Sequence, residues 1–195
     1  SRAVVAGYDT PGTKSNDIYY VNISVASNAI DFDGELTRIN TRSTAVSNGS
    51  RAVVAGGATP TASVDTIDYF PIGVTGTDAV DFGELAQGNI FYGSEAATDG
   101  SRLVQCSGYA GGATKFDTIQ YYNISNHRGT AMDFGEMFAT RASSGVLSDG
   151  SLALHCGGNG GTETVGFFRI GFPGNSLDYA ELAADSASQC TQSGG

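Results

Sequence analysis

Ser1-Arg-Ala-Val-Val-Ala-Gly7 is followed 49 residues later by Ser50-Arg-Ala-Val-Val-Ala-Gly56. The same opening returns, altered, as Ser101-Arg-Leu-Val-Gln-Cys-Ser-Gly108 and Ser151-Leu-Ala-Leu-His-Cys-Gly-Gly158. The chain is one unit written four times, in blocks 1–49, 50–100, 101–150 and 151–195. A period near fifty residues, with four short apolar runs in each block, points to repeated four-stranded sheets, the blades of a propeller. Residues 1–195 are thus expected to form one all-β domain of four-stranded antiparallel blades.

Working outward from the opening, Asn48-Gly49, Asp99-Gly100 and Asp149-Gly150 stand at the block boundaries. Asn-Gly and Asp-Gly favour φ > 0 at both central residues, so each boundary is expected to be a two-residue type I′ hairpin. After the apolar strand and its closing glycine comes a variable loop. Then follows an aromatic run: Asn16–Ile23, Asp65–Ile72, Asp117–Ile124 and Glu163–Ile170. Adjacent aromatics such as Tyr121 and Tyr122 point to opposite faces of a strand, which fits a sheet covered on both sides by neighbouring blades. Pro71 cannot donate to a ladder, so its strand is expected to lie near an edge or carry a bulge there. A second loop leads to Asp31-Phe32-Asp33-Gly34-Glu35, Asp81-Phe82-Gly83-Glu84, Asp133-Phe134-Gly135-Glu136 and Asp178-Tyr179-Ala180-Glu181, read as the outer strand. The segment before each Asn/Asp-Gly turn supplies the fourth strand.

The chain starts on the strand after a hairpin and stops on the strand before one. In a closed ring, Ser188–Gln192 would share a blade with Ser1–Ala6. The whole number of periods favours a closed four-blade ring; the alternative is part of a larger ring.

Composition bounds the function. Charged residues are only 15%, and 28 of 195 residues are Gly, a mixture suited to short strands and tight turns. The net charge of −10 repels phosphate backbones, so nucleic acid is not an expected partner. No apolar run approaches a membrane span, so no membrane insertion is expected. Cys106 and Cys156 occupy one repeat position where the other blocks have Ala6 and Ala55, so cysteine acts there as a small apolar residue. Equivalent positions on neighbouring blades are too far apart to be bridged, and nothing demands a disulfide framework.

The run Arg141-Ala-Ser-Ser-Gly-Val-Leu-Ser-Asp149-Gly150-Ser-Leu-Ala-Leu-His-Cys-Gly157-Gly158 resembles the kelch core: an Arg, a strand, a turn, a strand and a double glycine. The chain departs from that pattern in having no Trp, with Phe32, Phe82, Phe134 and Tyr179 in its place, and in having Ser107-Gly108 in block three. Asp-Thr-Ile-Asp-Tyr followed by Asp-Phe-Gly-Glu-Leu is also similar to glycine-rich repeat proteins of marine bacteriophages. That resemblance implies a virion component, such as a tail, fibre or capsid-surface protein, located on a virion or outside the cell. Its implied partners are other virion proteins or a host-surface protein or glycan. The alternative that kelch implies is a cellular, cytoplasmic protein-interaction scaffold.

The Asp/Glu pairs recur in every block, so they read as turn caps rather than as one catalytic pair. An enzyme acting on glycans is the weakest of the three functional classes. His155 and Cys156 are neighbours on a strand and face opposite sides, and His127 has no partner in sequence, so no metal or other cofactor is expected. The copper-oxidase ligand set of some kelch-type propellers has no match here. Function is left to the loops that differ among blocks and follow the glycine-terminated strand: residues 8–15, 58–63, 109–116 and 159–161. Within them Tyr8, Asp9, Lys14, Tyr109, Lys115 and Asn159 are the expected binding residues, tyrosine being suited to protein contact or sugar stacking.

Overall fold

The computed structural model describes residues 1–10, 13–59, 61–86, 95–110, 114–126, 128–158 and 163–183. It is all-β, with four antiparallel meanders. Blade 1 holds β1 (Arg2–Thr10), β2 (Thr13–Asn22) and β3 (Ile30–Glu35). Blade 2 holds β4 (Thr44–Ser47), β5 (Arg51–Ala55), β6 (Thr66–Pro71) and β7 (Val80–Glu84). Blade 3 holds β8 (Glu95–Thr98), β9 (Arg102–Cys106), the short β10 (Tyr109–Ala110), β11 (Thr114–Asn123) and β12 (Met132–Arg141). Blade 4 holds β13 (Gly145–Ser148), β14 (Leu152–Cys156), β15 (Thr164–Arg169) and β16 (Leu177–Glu181). The strands before the turns run innermost: β8 packs against β4 on one side and β13 on the other. The Asp-Phe-Gly-Glu strands lie at the outer edge, as the sequence implies.

Alternation along each strand sends its apolar residues to two different seams. In β5, Ala52 and Val54 join Phe32, Leu36 and Ile18 of blade 1, while Val53 and Ala55 join Leu103, Tyr122 and Ile124 of blade 3. A third cluster joins Val104, Ile119 and Phe134 of blade 3 to Ala153, Phe168 and Ile170 of blade 4. Tyr121 and Tyr122 divide between seams as expected, Tyr121 packing on Phe134 and Tyr122 on Phe82. The apolar clusters thus lie between blades. Among the described residues none joins blade 4 back to blade 1, and Val5 and Ile23 of blade 1 are 58% and 65% exposed. The segment Ser188–Gln192, expected to close the ring, lies outside the described residues.

Each of the three seams is built from the same parts. The arginine of the Ser-Arg opening crosses to the next blade: Arg2 Nη1 donates to Ile72 O at 3.0 Å, Arg51 Nη1 to Ile124 O at 2.9 Å, and Arg102 Nη1 to Ile170 O at 2.9 Å. The same guanidinium lies over a tyrosine of its own blade, Tyr20, Tyr69 or Tyr121, at 4.5, 4.4 and 5.0 Å. Further out, Phe32 meets Phe70, Phe82 meets Tyr122 and Phe134 meets Phe168 with ring centroids 5.4, 5.7 and 5.5 Å apart.

The repeated Gly of Asp-Phe-Gly-Glu is where the next blade's loop touches backbone. A Cβ on Gly34 would fall on Thr77 O, and one on Gly83 on Gly129 O. On Gly135 it would lie 2.5 Å from Gly174 O. The approach is held by Gly129 N donating to Phe82 O at 2.9 Å and Ala131 N to Glu84 O at 2.8 Å, with equivalent bonds from Ala79 to Glu35 and from Ser176 to Glu136. Blade 4 differs on its outward face: Leu152 stands where the others have Arg, Ala180 where they have Gly, and Tyr179 is 60% exposed where its counterparts are buried.

The boundary turns correct the expected type I′ geometry. Only the glycine is left-handed, Gly49 at φ 89°, Gly100 at 87° and Gly150 at 87°, while Asn48, Asp99 and Asp149 keep ordinary backbone. Their side chains close the turn instead. Asn48 Oδ1 accepts from Ser50 N and Arg51 N at 3.1 and 2.8 Å, and Asp149 Oδ1 from Ser151 N and Leu152 N at 2.8 and 2.7 Å. The acceptor oxygen replaces the second left-handed residue as the source of closure. Pro71 is tolerated because it ends β6 beyond the last residue paired with β7, Tyr69, so no donor is missed.

Cys106 is free and buried, as an alanine substitute should be. Cys156 is disulfide-bonded, which the sequence did not demand; its partner lies outside the described residues.

Candidate functional site

Two of the four variable segments expected to be loops continue as β-structure. The strands β1 and β2 run on past the shift between Ala6 and Tyr8 into a hairpin arm, with Tyr8 opposite Ser15, Asp9 opposite Lys14 and Thr10 opposite Thr13. In blade 3, β10 and β11 form the matching arm, with Tyr109 opposite Lys115 and Ala110 opposite Thr114. Both Tyr109 and Lys115 are half-buried. Blade 2 has the single bridge Ala58–Ser63 at this place among the described residues. Asn159 lies outside the described residues.

The arms leave the sheet through strained turns at the glycine-terminated strand ends. Gly7 sits at φ 67°, with Asn40 O against the place a Cβ would take. In blade 3 the equivalent residue is Ser107 at φ 62°, its hydroxyl 3.2 Å from that of Ser144. A non-glycine residue in this region costs of order 1 kcal/mol or more and needs local support.

Equivalence between the arms is close. Tyr8 and Lys14 fall at the same repeat positions as Tyr109 and Lys115, and Lys14 and Lys115 are the only two lysines in the chain. Blades 1 and 3 thus carry one Tyr and one Lys each at the same end of the array, directly opposite in blade 3 but one register step apart in blade 1, and the sequences of blades 2 and 4 lack both there.

The structure adds a buried polar cluster that the sequence did not reveal as a unit. Arg141 is wholly buried, its Nη1 donating to Gly157 O and Thr164 O at 3.2 Å each. This repeats blade 2, where Asn40 Nδ2 donates to Gly56 O at 2.7 Å, so the kelch-like Arg tethers the double glycine. Phe138 lies between Arg141 and His155, 5.5 Å from the guanidinium and 6.1 Å from the imidazole. His155 also stacks with Phe168, ring centroids 6.3 Å apart. The imidazole lies over Gly166, where an added Cβ would collide with Nε2.

Burial, and then the charge of Arg141, hold the His155 pKa down to about 3. Burial, then Glu95, pushes the Cys106 thiol up to about 12. Glu95, at the start of the innermost strand β8, is raised by desolvation to about 7. Near neutral pH this cluster therefore offers a neutral imidazole and a protonated thiol, and no thiolate nucleophile. The signal available in the sequence is slight: Arg141 stands within the kelch-like run, His155 is set beside Cys156 on one strand, and Glu95 belongs to none of the repeated motifs.

The acid pairs act as structure where their bonds are visible. Asp31 Oδ1 accepts from Asp33 N at 2.9 Å, and Asn16 Nδ2 donates to Glu35 Oε2 at 2.8 Å. Between blades, Asp78 Oδ1 accepts from Glu35 N and Asn175 Oδ1 from Glu136 N, at 3.1 and 3.0 Å. Among the described residues no group of three or more His, Cys, Asp or Glu could hold a metal ion, and no helix is long and apolar enough to cross a membrane. His127 lies outside the described residues.

Fold and site together define a β-propeller-like array of blades with paired arms at one end. No family model matches the chain, and no curated protein matches it.

Proposed function

We propose that the chain is a non-enzymatic structural or adhesive module that meets its partner through the arms of blades 1 and 3. Following the likeness of its repeats to phage glycine-rich repeat proteins, its setting is a virion's tail, fibre or capsid surface, and its partner is another virion protein or a host-surface protein or glycan. The observation that carries this reading is the repetition of Tyr8/Lys14 as Tyr109/Lys115 on alternate blades, using both lysines of the chain. Much of what the repeats otherwise share serves the seams or the boundary turns, which the Tyr and Lys of the arms do not, and that points to a shared partner. Tyrosine supplies contact area at low entropic cost, and lysine supplies a charge on an otherwise acidic molecule.

The test is binding of the wild-type chain, and of a variant with Tyr8, Lys14, Tyr109 and Lys115 all changed to Ala, to host cells, a glycan array and purified virion proteins. The expected result is a loss of at least tenfold in affinity with unchanged circular dichroism. Equal binding by the variant would overturn the assignment of the arms. Turnover of any glycan by the wild type would overturn the non-enzymatic reading.

A further inference from the structure

The boundary turns of blades 2, 3 and 4 are one structure made with two kinds of side chain. Asp99 and Asp149 close two of them, and Asn48, followed by Gly49, closes the third. An asparagine before a glycine carries a nucleophile next to its own electrophile. The glycine nitrogen, with no Cβ to shield it, can add to the asparagine Cγ.

Three observations bear on that addition. The first is access. Gly49 and Ser50 are exposed, and a Cβ on Gly49 would meet nothing within 4 Å, so solvent reaches the nitrogen. Gly49 lies beyond the β4–β5 ladder, whose last pair is Ser47 with Ala52, and its N donates a long bond of 3.4 Å to Ser47 Oγ. The second is activation. Addition to Cγ puts negative charge on Oδ1, and three donors already point there: Ser50 N and Ser50 Oγ at 3.1 Å each and Arg51 N at 2.8 Å. Donors fixed where charge develops lower the barrier. The third is the fate of the product. Asp99 Oδ1 accepts from the same three groups, Ser101 N, Ser101 Oγ and Arg102 N, at 2.8, 2.9 and 2.6 Å. The turn therefore holds a carboxylate as well as an amide, and hydrogen bonds to an ionised acceptor are the stronger. The amides of Leu152 and Ser151 accordingly hold the Asp149 carboxyl below its usual range.

We propose that Asn48 is a site of spontaneous deamidation, and that the donors on its Oδ1 both promote the reaction and direct the product to aspartate, giving blade 2 the boundary turn of blades 3 and 4. Gly49 N loses its proton to solvent and bonds to Cγ. The Cγ–Nδ2 bond breaks, and Nδ2 takes up a proton and leaves as ammonia. The resulting succinimide consumes one water. Cleavage between Gly49 N and Cγ restores the backbone and leaves an aspartate. Cleavage between Gly49 N and the backbone carbonyl carbon of Asn48 reroutes the chain through Cβ and Cγ as isoaspartate. That second route lengthens a tight turn closed by Asn48 N donating to Arg51 O at 3.2 Å, and it disturbs Arg51, whose guanidinium crosses to blade 3. The folded turn thus favours the aspartate. The site is independent of the proposed function.

The experiment is timed incubation of the full chain in mildly alkaline buffer at physiological temperature, followed by digestion and mass spectrometry with fragmentation that separates aspartate from isoaspartate. Asn48 should be lost at least about tenfold faster than Asn22 or Asn123, which precede isoleucine. Ser50→Ala removes one donor at an exposed position and should slow that loss by roughly tenfold. The aspartate share should be higher from the folded chain than from the same chain in urea, where the turn is absent. Asn48→Asp should melt at or above the wild-type midpoint. Loss of Asn48 no faster than that of Asn123, a rate unmoved by Ser50→Ala, an equal aspartate share in urea, or a lower midpoint for Asn48→Asp would each overturn the proposal.

Discussion

Gly83→Ala probes the seam between blades 2 and 3 with a single methyl group. The new Cβ would fall on Gly129 O and lie 2.8 Å from the carbonyl carbon, and both belong to backbone that no rotamer change can move. Gly83 also sits at φ 150°, a conformation that costs an alanine roughly 1–3 kcal/mol. Relieving the overlap means backing the loop away and weakening Gly129 N to Phe82 O and Ala131 N to Glu84 O, each contributing about 1 kcal/mol. The summed expectation is a loss of about 3–5 kcal/mol, a large share of the 5–15 kcal/mol typical of a domain. With roughly 2–4 °C per kcal/mol at this chain length, the thermal midpoint should fall by about 10 °C. Urea unfolding followed by far-UV circular dichroism measures the free-energy loss and a thermal melt the midpoint, the chain having no tryptophan. Gly73→Ala is the control, because its Cβ would meet nothing within 4 Å. A Gly83→Ala loss below 1 kcal/mol, or one matched by Gly73→Ala, would refute the close-approach reasoning.

Two further outcomes follow from the same geometry. Arg51→Ala should cost about 2 kcal/mol and Arg102→Ala about 1, because Arg51 Nη1 also donates to Asn126 O at 2.9 Å while both rest on a tyrosine; equal losses in urea titrations would contradict the second bond. Glu95 is raised to about 7, so the folded state holds an extra proton between its unfolded value near 4.5 and 7, and its stabilising contribution is present below pH 4.5 and lost as pH rises to 7. His155, lowered to about 3, does the reverse, its contribution fading as pH falls below about 6.5. Glu95→Gln should therefore gain on the wild type by about 1–2 kcal/mol between pH 4.5 and 7, discounted for partial exposure. A pH-independent difference between the two would show that Glu95 titrates normally.

Blade number, strand order and the outer position of Asp-Phe-Gly-Glu were legible because each rests on a local pattern repeated four times. The double orientation of Tyr121 and Tyr122 was legible for the same reason, since alternation is a property of one strand. What escaped was set by contacts with other parts of the chain. The Asn48 side chain displaces the expected turn type by accepting two amides. The role of the Ser-Arg arginines appears only when the neighbouring blade supplies its carbonyl, and Leu152 and Ala180 gain meaning only against that joint. For the candidate site, the positions of the arms were legible as variation, but the ladders that pair residues 8–10 with 13–15 and 109–110 with 114–115 were not, since variation among blocks says nothing of pairing within one.

Because each interior blade shows one face to its predecessor and another, always the same, to its successor, the fifty-residue block is also a unit of inheritance. Duplicating blade 2 within the gene would place a new outgoing face against blade 3 and a new receiving face against the old blade 2, and both joints would fit at once. Inserting half a block would spoil two. The cheapest large change open to such a gene is to gain or lose a whole repeat, while the arms diversify separately without disturbing the count.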